Sequence, residues 1–110
     1  MALHKEEERI YREVGDKAGL QLSLGNQALT LSDRGDLKGA MMLQNEQERI
    51  CHELGNPESI AISLKNRAII LAKMGRKGEA HSLVEESLKL AQEHGYRFLA
   101  QKIKSVKDRL

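Results

Sequence analysis

The chain has 110 residues and a mass of 12.4 kDa, which suits one domain with its own core. Hydrophobic residues make up 40% of the chain, charged residues 31%, and the net charge is +2, so the composition excludes a disordered chain, a membrane span and a collagen. One cysteine and 3% aromatic residues exclude an internal disulfide and argue against base stacking, and we expect a cytoplasmic protein with no nucleic-acid or membrane partner.

The sequence repeats every 40 residues. Segments 1–40 and 41–80 share 15 identities without a gap. The match fades after residue 80, as is typical of the terminal units of repeat arrays. We therefore expect a single repeat domain made of a half repeat, two repeats and a C-terminal capping helix, over residues 1–15, 16–55, 56–95 and 96–110.

Six helices and no strand are predicted, over residues 2–14, 17–34, 37–54, 57–74, 77–94 and 97–110. Their apolar residues recur at helical spacing, as Leu20, Leu24 and Ala28 do in the second helix. The predicted ends carry glycines that suit left-handed closing residues: Gly15, Gly35, Gly55, Gly75 and Gly95. The residues that follow three of these ends are N-cap types, namely Asp16, Asp36 and Asn56. Links of two or three residues predict antiparallel helices in contact. We name the first helix of each period A and the second B. Because the chain begins with a half repeat, whose one helix is of type B, the order is B-A-B-A-B-A in an all-α fold.

A small-residue pattern carries a family resemblance. In each full period a bulky, a small and a bulky residue precede a glycine, and a small residue opens the next helix: Leu24, Ala28, Leu31, Gly35 and Ala40, then Leu64, Ala68, Leu71, Gly75 and Ala80. Over almost its whole length the chain resembles the tetratricopeptide-repeat family. That family's usual repeat has 34 residues, and a period of 40 resembles the long-helix variety of kinesin light chains and bacterial signalling proteins. The resemblance implies an α-solenoid of antiparallel helix pairs wound into a right-handed superhelix.

The resemblance also implies a peptide-binding surface on the concave side, which the A helices line. It places twelve residues there: Leu22, Gly25, Asn26, Leu29, Asp33, Ile62, Lys65, Asn66, Ile69, Lys73, Lys102 and Arg109. Asn26 and Asn66 each offer an acceptor and two donors, which can satisfy both polar groups of a peptide unit, or they form an Asn–Asn ladder that sets the helix register. The positive charges of Lys65, Lys73, Lys102 and Arg109 favour an acidic peptide. Alternatively, these side chains are ordinary solvated surface.

Residues with reactive side chains form no catalytic pattern. The four histidines are scattered, and Cys51 and His52 are neighbours that point about 100° apart on a helix, with no evident third ligand. We expect Cys51 to be structural. The sequence thus predicts no enzyme activity, no metal site and no cofactor.

The predicted function is a protein-interaction module that binds a peptide or protein segment in its concave groove. The alternative is a structural element that stacks head to tail, or a fragment of a longer array. Residues 1–55 carry a net charge of −3 and residues 56–110 of +5, which would steer such stacking. The side chains predicted to meet in the joint are Leu3, Ile10 and Val14 at one end and Leu99, Ile103 and Val106 at the other.

Overall fold

A computed structural model describes residues 2–110, except for the side chains of residues 2–4, 13 and 14. Over the described residues the fold is all-helical. Its helices are α1 (Ala2–Val14), α2 (Lys17–Asp33), α3 (Leu37–Leu54), α4 (Pro57–Lys73), α5 (Lys77–Glu93) and α6 (Arg97–Arg109). Six helices were predicted, and their bounds agree with the predicted ones to within one residue.

Local side chains set where the helices begin and end. The carboxylates of Asp16 and Asp36 accept hydrogen bonds from the backbone N–H groups of Gly19 and Gly39, each at 2.9 Å. Asn56 caps α4 in the same way through Glu58, at 2.8 Å. The expected N-caps are therefore confirmed. All five predicted closing glycines have φ between 65° and 88°, a region that only glycine enters without strain.

Helices adjacent in sequence run antiparallel. Gln21, near the start of α2, contacts Gln47 and Cys51, in the last turns of α3. In the next pair, Ser87, late in α5, donates to the carbonyl oxygen of Ala61, early in α4, at 2.8 Å. The contacts Gln47–Gln21 and Ser87–Ala61 are related by the 40-residue period, so the two pairs pack alike.

Three helices share one side of the molecule. Each helix packs on the next one in the chain, and in addition α2 contacts α4 and α4 contacts α6. These are the three A helices of the repeat. The face that they form together holds most of the predicted binding residues.

The core is built around small residues where helices cross. Ala28 and Ala40 belong to one buried cluster, and Ala68 and Ala80 to another, and all four are fully buried. A methyl side chain lets two helix backbones approach closely. The small residues of the repeat pattern thus lie in the buried contacts between helices.

The C-terminal helix α6 turns its apolar side inward. Ile103 has no exposed surface and Val106 is buried, both in the cluster with Val84 of α5. The prediction that these two side chains remain open for a second copy is wrong in this structure, because α4 and α5 already cover them. Leu99 is half-buried and packs against the same cluster.

At the N-terminal end of the proposed joint, by contrast, an apolar side chain is exposed. Ile10 of α1 is 45% exposed, whereas its repeat equivalent Ile50 is buried against Leu20 and Leu24 of α2. Leu3 and Val14, the other two residues predicted for this end of the joint, lie outside the described side chains. The proposed joint therefore keeps one exposed apolar residue at its N-terminal end and loses its C-terminal surface.

Candidate functional site

Two adjoining cavities follow the side formed by α2, α4 and α6. The first cavity has a volume of about 290 Å³ and has Leu22 and Lys102 among its lining residues. The second has a volume of about 440 Å³ and has Asp33 and Leu110 among its lining residues. Leu29 lines both. We call the two together the groove.

The groove gathers eleven of the twelve residues placed on the concave side, all except Gly25. The first cavity is lined by Leu22, Asn26, Leu29, Ile62, Lys65, Asn66 and Lys102. The second is lined by Leu29, Asp33, Ile69, Lys73 and Arg109. The repeat period places these residues together because equivalent positions on successive A helices face the same way. Leu22, Ile62 and Lys102, for example, are separated by 40 residues each.

The two repeat-equivalent asparagines differ in environment. Asn66 is only 4% exposed, and its Nδ2 donates to Oε1 of Gln47 at 3.3 Å. Its Oδ1 is buried and has no hydrogen-bond partner among the described residues. Asn26 is exposed and its side chain makes no bond to Asn66. The Asn–Asn ladder is therefore absent, and Gln47 of α3 orients Asn66 instead.

Gln47 is a site residue that the sequence analysis missed. It is fully buried, lines the first cavity, and donates through Nε2 to Oε1 of Gln21 at 3.0 Å. Cys51 donates through Sγ to the same Gln21 oxygen at 3.4 Å. The repeat itself held the available signal, because Gln47 stands where Ser87 provides a small residue. This network joins α2, α3 and α4 behind the first cavity.

Gly25 makes room for the network. A Cβ atom built at Gly25 would overlap Nε2 of Gln47 and lie 2.8 Å from Nδ2 of Asn66. Both approaches are closer than van der Waals contact. Because the two amides are buried, any side chain at Gly25 must displace groups that are already hydrogen-bonded to each other.

Gly25→Ala is therefore expected to destabilise the fold by about 1–2 kcal/mol, because the loss of a buried hydrogen bond outweighs the helix propensity of alanine. Gly78→Ala is the matched control, since a Cβ at Gly78 meets nothing within 4 Å, and it should stabilise by about 0.5–1 kcal/mol. Urea denaturation measures both. Equal stabilisation by the two substitutions would contradict the placement of Gln47 and Asn66.

The cations of the groove fall into two groups. Lys73 forms an ion pair with Asp33, its repeat equivalent on α2. Lys65 and Lys102 line the first cavity, and neither has an ion-pair partner among the described residues. Burial lowers the pKa of the Lys65 ammonium, and the nearby charge of Lys102 lowers it further. Two like charges near each other in a partly enclosed cavity favour an anion between them.

Other charged side chains, of both signs, also line the groove. Glu58 also lines the first cavity, at the beginning of α4. Lys77 and Arg109 line the second cavity, and Arg109 donates through Nε to the backbone oxygen of Ser105 at 3.2 Å. The groove thus carries more positive than negative side chains, with the two unpaired lysines in its first cavity.

Phe98 is the second site residue that the sequence analysis missed. It is 85% exposed at the beginning of α6, and it lines the first cavity and a further cavity beside it, formed with Tyr96 and Leu99. Its repeat equivalents are Ala18 and Glu58. The sequence held one signal for this residue, namely a phenylalanine at a repeat position that is alanine or glutamate in the other two copies.

Cys51 lies on a buried side of α3, as expected. The thiol is free and buried, and burial, aided by the charge of Glu48, raises its pKa to about 12. A protonated, enclosed thiol is a poor nucleophile at neutral pH. Within the described part of the chain, no three histidine, cysteine, aspartate or glutamate side chains are grouped so that they could hold a metal ion.

None of the helices in the described part of the chain has the length and apolar character needed to cross a membrane. Comparisons with protein-family models, with curated proteins and with solved structures found no match to this chain.

Proposed function

We propose that the protein is a tetratricopeptide-like α-solenoid that binds an extended, acidic segment of another protein in its groove. The solenoid proposal is supported by the alternation of A and B helices with a 40-residue period. It is also supported by the contacts of α2 with α4 and of α4 with α6, which a stack of helix pairs requires.

One observation carries the binding proposal. Eleven of the twelve residues that the family resemblance placed on the concave side line two adjoining cavities on one side of the molecule. Side chains that merely solubilise a surface have no reason to converge on a groove, whereas a binding surface needs that convergence.

The polar groups of the first cavity suit a peptide in two ways. The unpartnered Oδ1 of Asn66 is a buried acceptor, and a backbone N–H of a bound chain would satisfy it. Lys65 and Lys102 supply donors and positive charge for a carboxylate. The exposed amide of Asn26, which also lines the cavity, offers further hydrogen bonds.

The proposed role is that of a scaffold without catalysis, metal or cofactor, acting in the cytoplasm. The chemistry of the groove supports it, since amides, lysines and apolar side chains bind a chain without reacting with it. The buried, free thiol of Cys51 suits a reducing compartment.

The test uses a fluorescein-labelled ten-residue peptide rich in glutamate, with fluorescence anisotropy as the readout. The double variant Lys65→Gln/Lys102→Gln should weaken binding about tenfold, because charge pairs in a partly desolvated groove are lost. The control Lys89→Gln/Lys104→Gln makes the same change of net charge on exposed lysines that do not line the groove, and it should change affinity less than about twofold.

Salt provides a second arm. Affinity of the native protein should fall as the salt concentration rises, because partly exposed charges are screened. Equal losses in the two double variants would show that the peptide senses only net charge, and the groove proposal would then be wrong.

A further inference from the structure

The exposed ring of Phe98 has no packing role in the described structure. It belongs to none of the buried clusters and is absent from the residues packed against them. It lies on the wall of the first cavity, which is open to solvent on that side. An aromatic side chain of this size gains most from burial, so its exposure on a cavity wall indicates a contact surface.

A second exposed apolar side chain lines the same cavity. Leu22 is 48% exposed and comes from α2, at the other edge of the groove from α6. Ile62 of α4, half-buried, lies on the cavity wall between these two helices. The first cavity thus has an apolar surface contributed by all three A helices.

The unpaired cations belong to this cavity too. Lys65 comes from α4 and Lys102 from α6, and Lys102 is one helical turn after Phe98. A ligand that fills the cavity therefore meets an aromatic ring, an aliphatic side chain and two positive charges at once. Charge complementarity selects an acidic ligand, and the apolar walls select a ligand with a large apolar side chain.

We propose that Phe98 and Leu22 determine the specificity of the groove, by holding an apolar side chain of the bound segment beside a carboxylate that contacts Lys65 and Lys102. The recognised unit is an acidic segment interrupted by one large apolar residue. This inference rests on the proposed function and adds to it the residue type that the first cavity selects.

The experiment compares two labelled peptides that differ at one position. Both are nine residues long and rich in glutamate, and the central residue is leucine in one and alanine in the other. The native protein should bind the leucine peptide about tenfold more tightly, as burial of the additional methylene groups implies. Phe98→Ala and Leu22→Ala should each reduce that preference to about threefold or less.

The control is Met42→Ala. Met42 is an exposed apolar residue of α3 that lines neither cavity. This substitution should leave the tenfold preference unchanged. Thermal denaturation of each variant is run in parallel, and the exposed Phe98 and Leu22 should be replaceable without loss of stability.

The outcomes distinguish a failure of this inference from a failure of the proposed function. Equal affinity for the leucine and alanine peptides overturns this inference, and so does a leucine preference that survives Phe98→Ala. In both cases, binding of the acidic peptides to the native protein still supports the proposed function of the groove. Failure of both peptides to bind the folded native protein overturns the proposed function and this inference with it. A mass that rises with concentration, measured by light scattering and abolished by Phe98→Ala, assigns the surface to a second copy of the chain and also overturns the inference.

Discussion

Replacing Ile103 with alanine is expected to lower the free energy of unfolding by about 2–5 kcal/mol. Ile103 has no exposed surface and belongs to the largest buried cluster, with residues of α4, α5 and α6. Removing three side-chain carbons leaves a cavity among atoms that the surrounding helices hold in place. Chemical denaturation monitored by circular dichroism measures the change.

Ile10→Ala is the matched control, because it is the same substitution at a site that is 45% exposed. It should cost less than about 1 kcal/mol. Sedimentation velocity on the same variants tests the alternative of head-to-tail stacking. If Ile103→Ala leaves stability unchanged but reduces an oligomer to monomers, the side chain belongs to a joint between copies and its placement in the core is wrong.

The second large effect is expected at a helix crossing. Ala68→Leu should destabilise the fold by about 1–3 kcal/mol, because Ala68 is fully buried beside Ala80 in the same cluster and the added atoms have no free volume to enter. The larger side chain must push α4 and α5 apart or adopt a strained rotamer.

Ala72→Leu provides the control one turn further along α4. Ala72 is half-buried and lines the second cavity, so a leucine there can extend into empty space. Its effect on stability should stay within about 0.5 kcal/mol. A denaturant melt in which the two variants behave alike would contradict the tight crossing at Ala68.

Contacts across the period show how far equivalence between repeats extends. Gln27 donates to Glu8 at 2.9 Å, and Arg67 donates to Glu48 at 2.6 Å. Both pairs join a B helix to the A helix that follows, and they are 40 residues apart. The same geometry thus accommodates an amide in one repeat and a guanidinium in the next, because only the position of the acceptor carboxylate is shared.

The sequence by itself determined where the helices begin and end, and its resemblance to tetratricopeptide repeats predicted which side of each A helix faces the groove. Helix ends depend on residues next to each other in the chain: a capping side chain such as Asp16 bonds to a backbone group three residues away, and a glycine such as Gly55 allows the chain to turn. The resemblance placed Leu22, Asn26 and Leu29 on the groove side of α2, and the 40-residue period assigns the corresponding residues of α4 and α6. These features need no knowledge of distant contacts.

Only the tertiary structure decided what covers each side chain. Asn26 and Asn66 occupy the same repeat position, but Gln47 of α3 buries and orients Asn66 while Asn26 remains exposed. Ile103 and Val106 formed an apolar stripe that could face inward or outward, and the packing of α5 on α6 settled it inward. The physical reason is that periodicity specifies the direction of a side chain relative to its own helix axis, whereas burial depends on the neighbouring helix and on the residues that this helix presents at the point of contact.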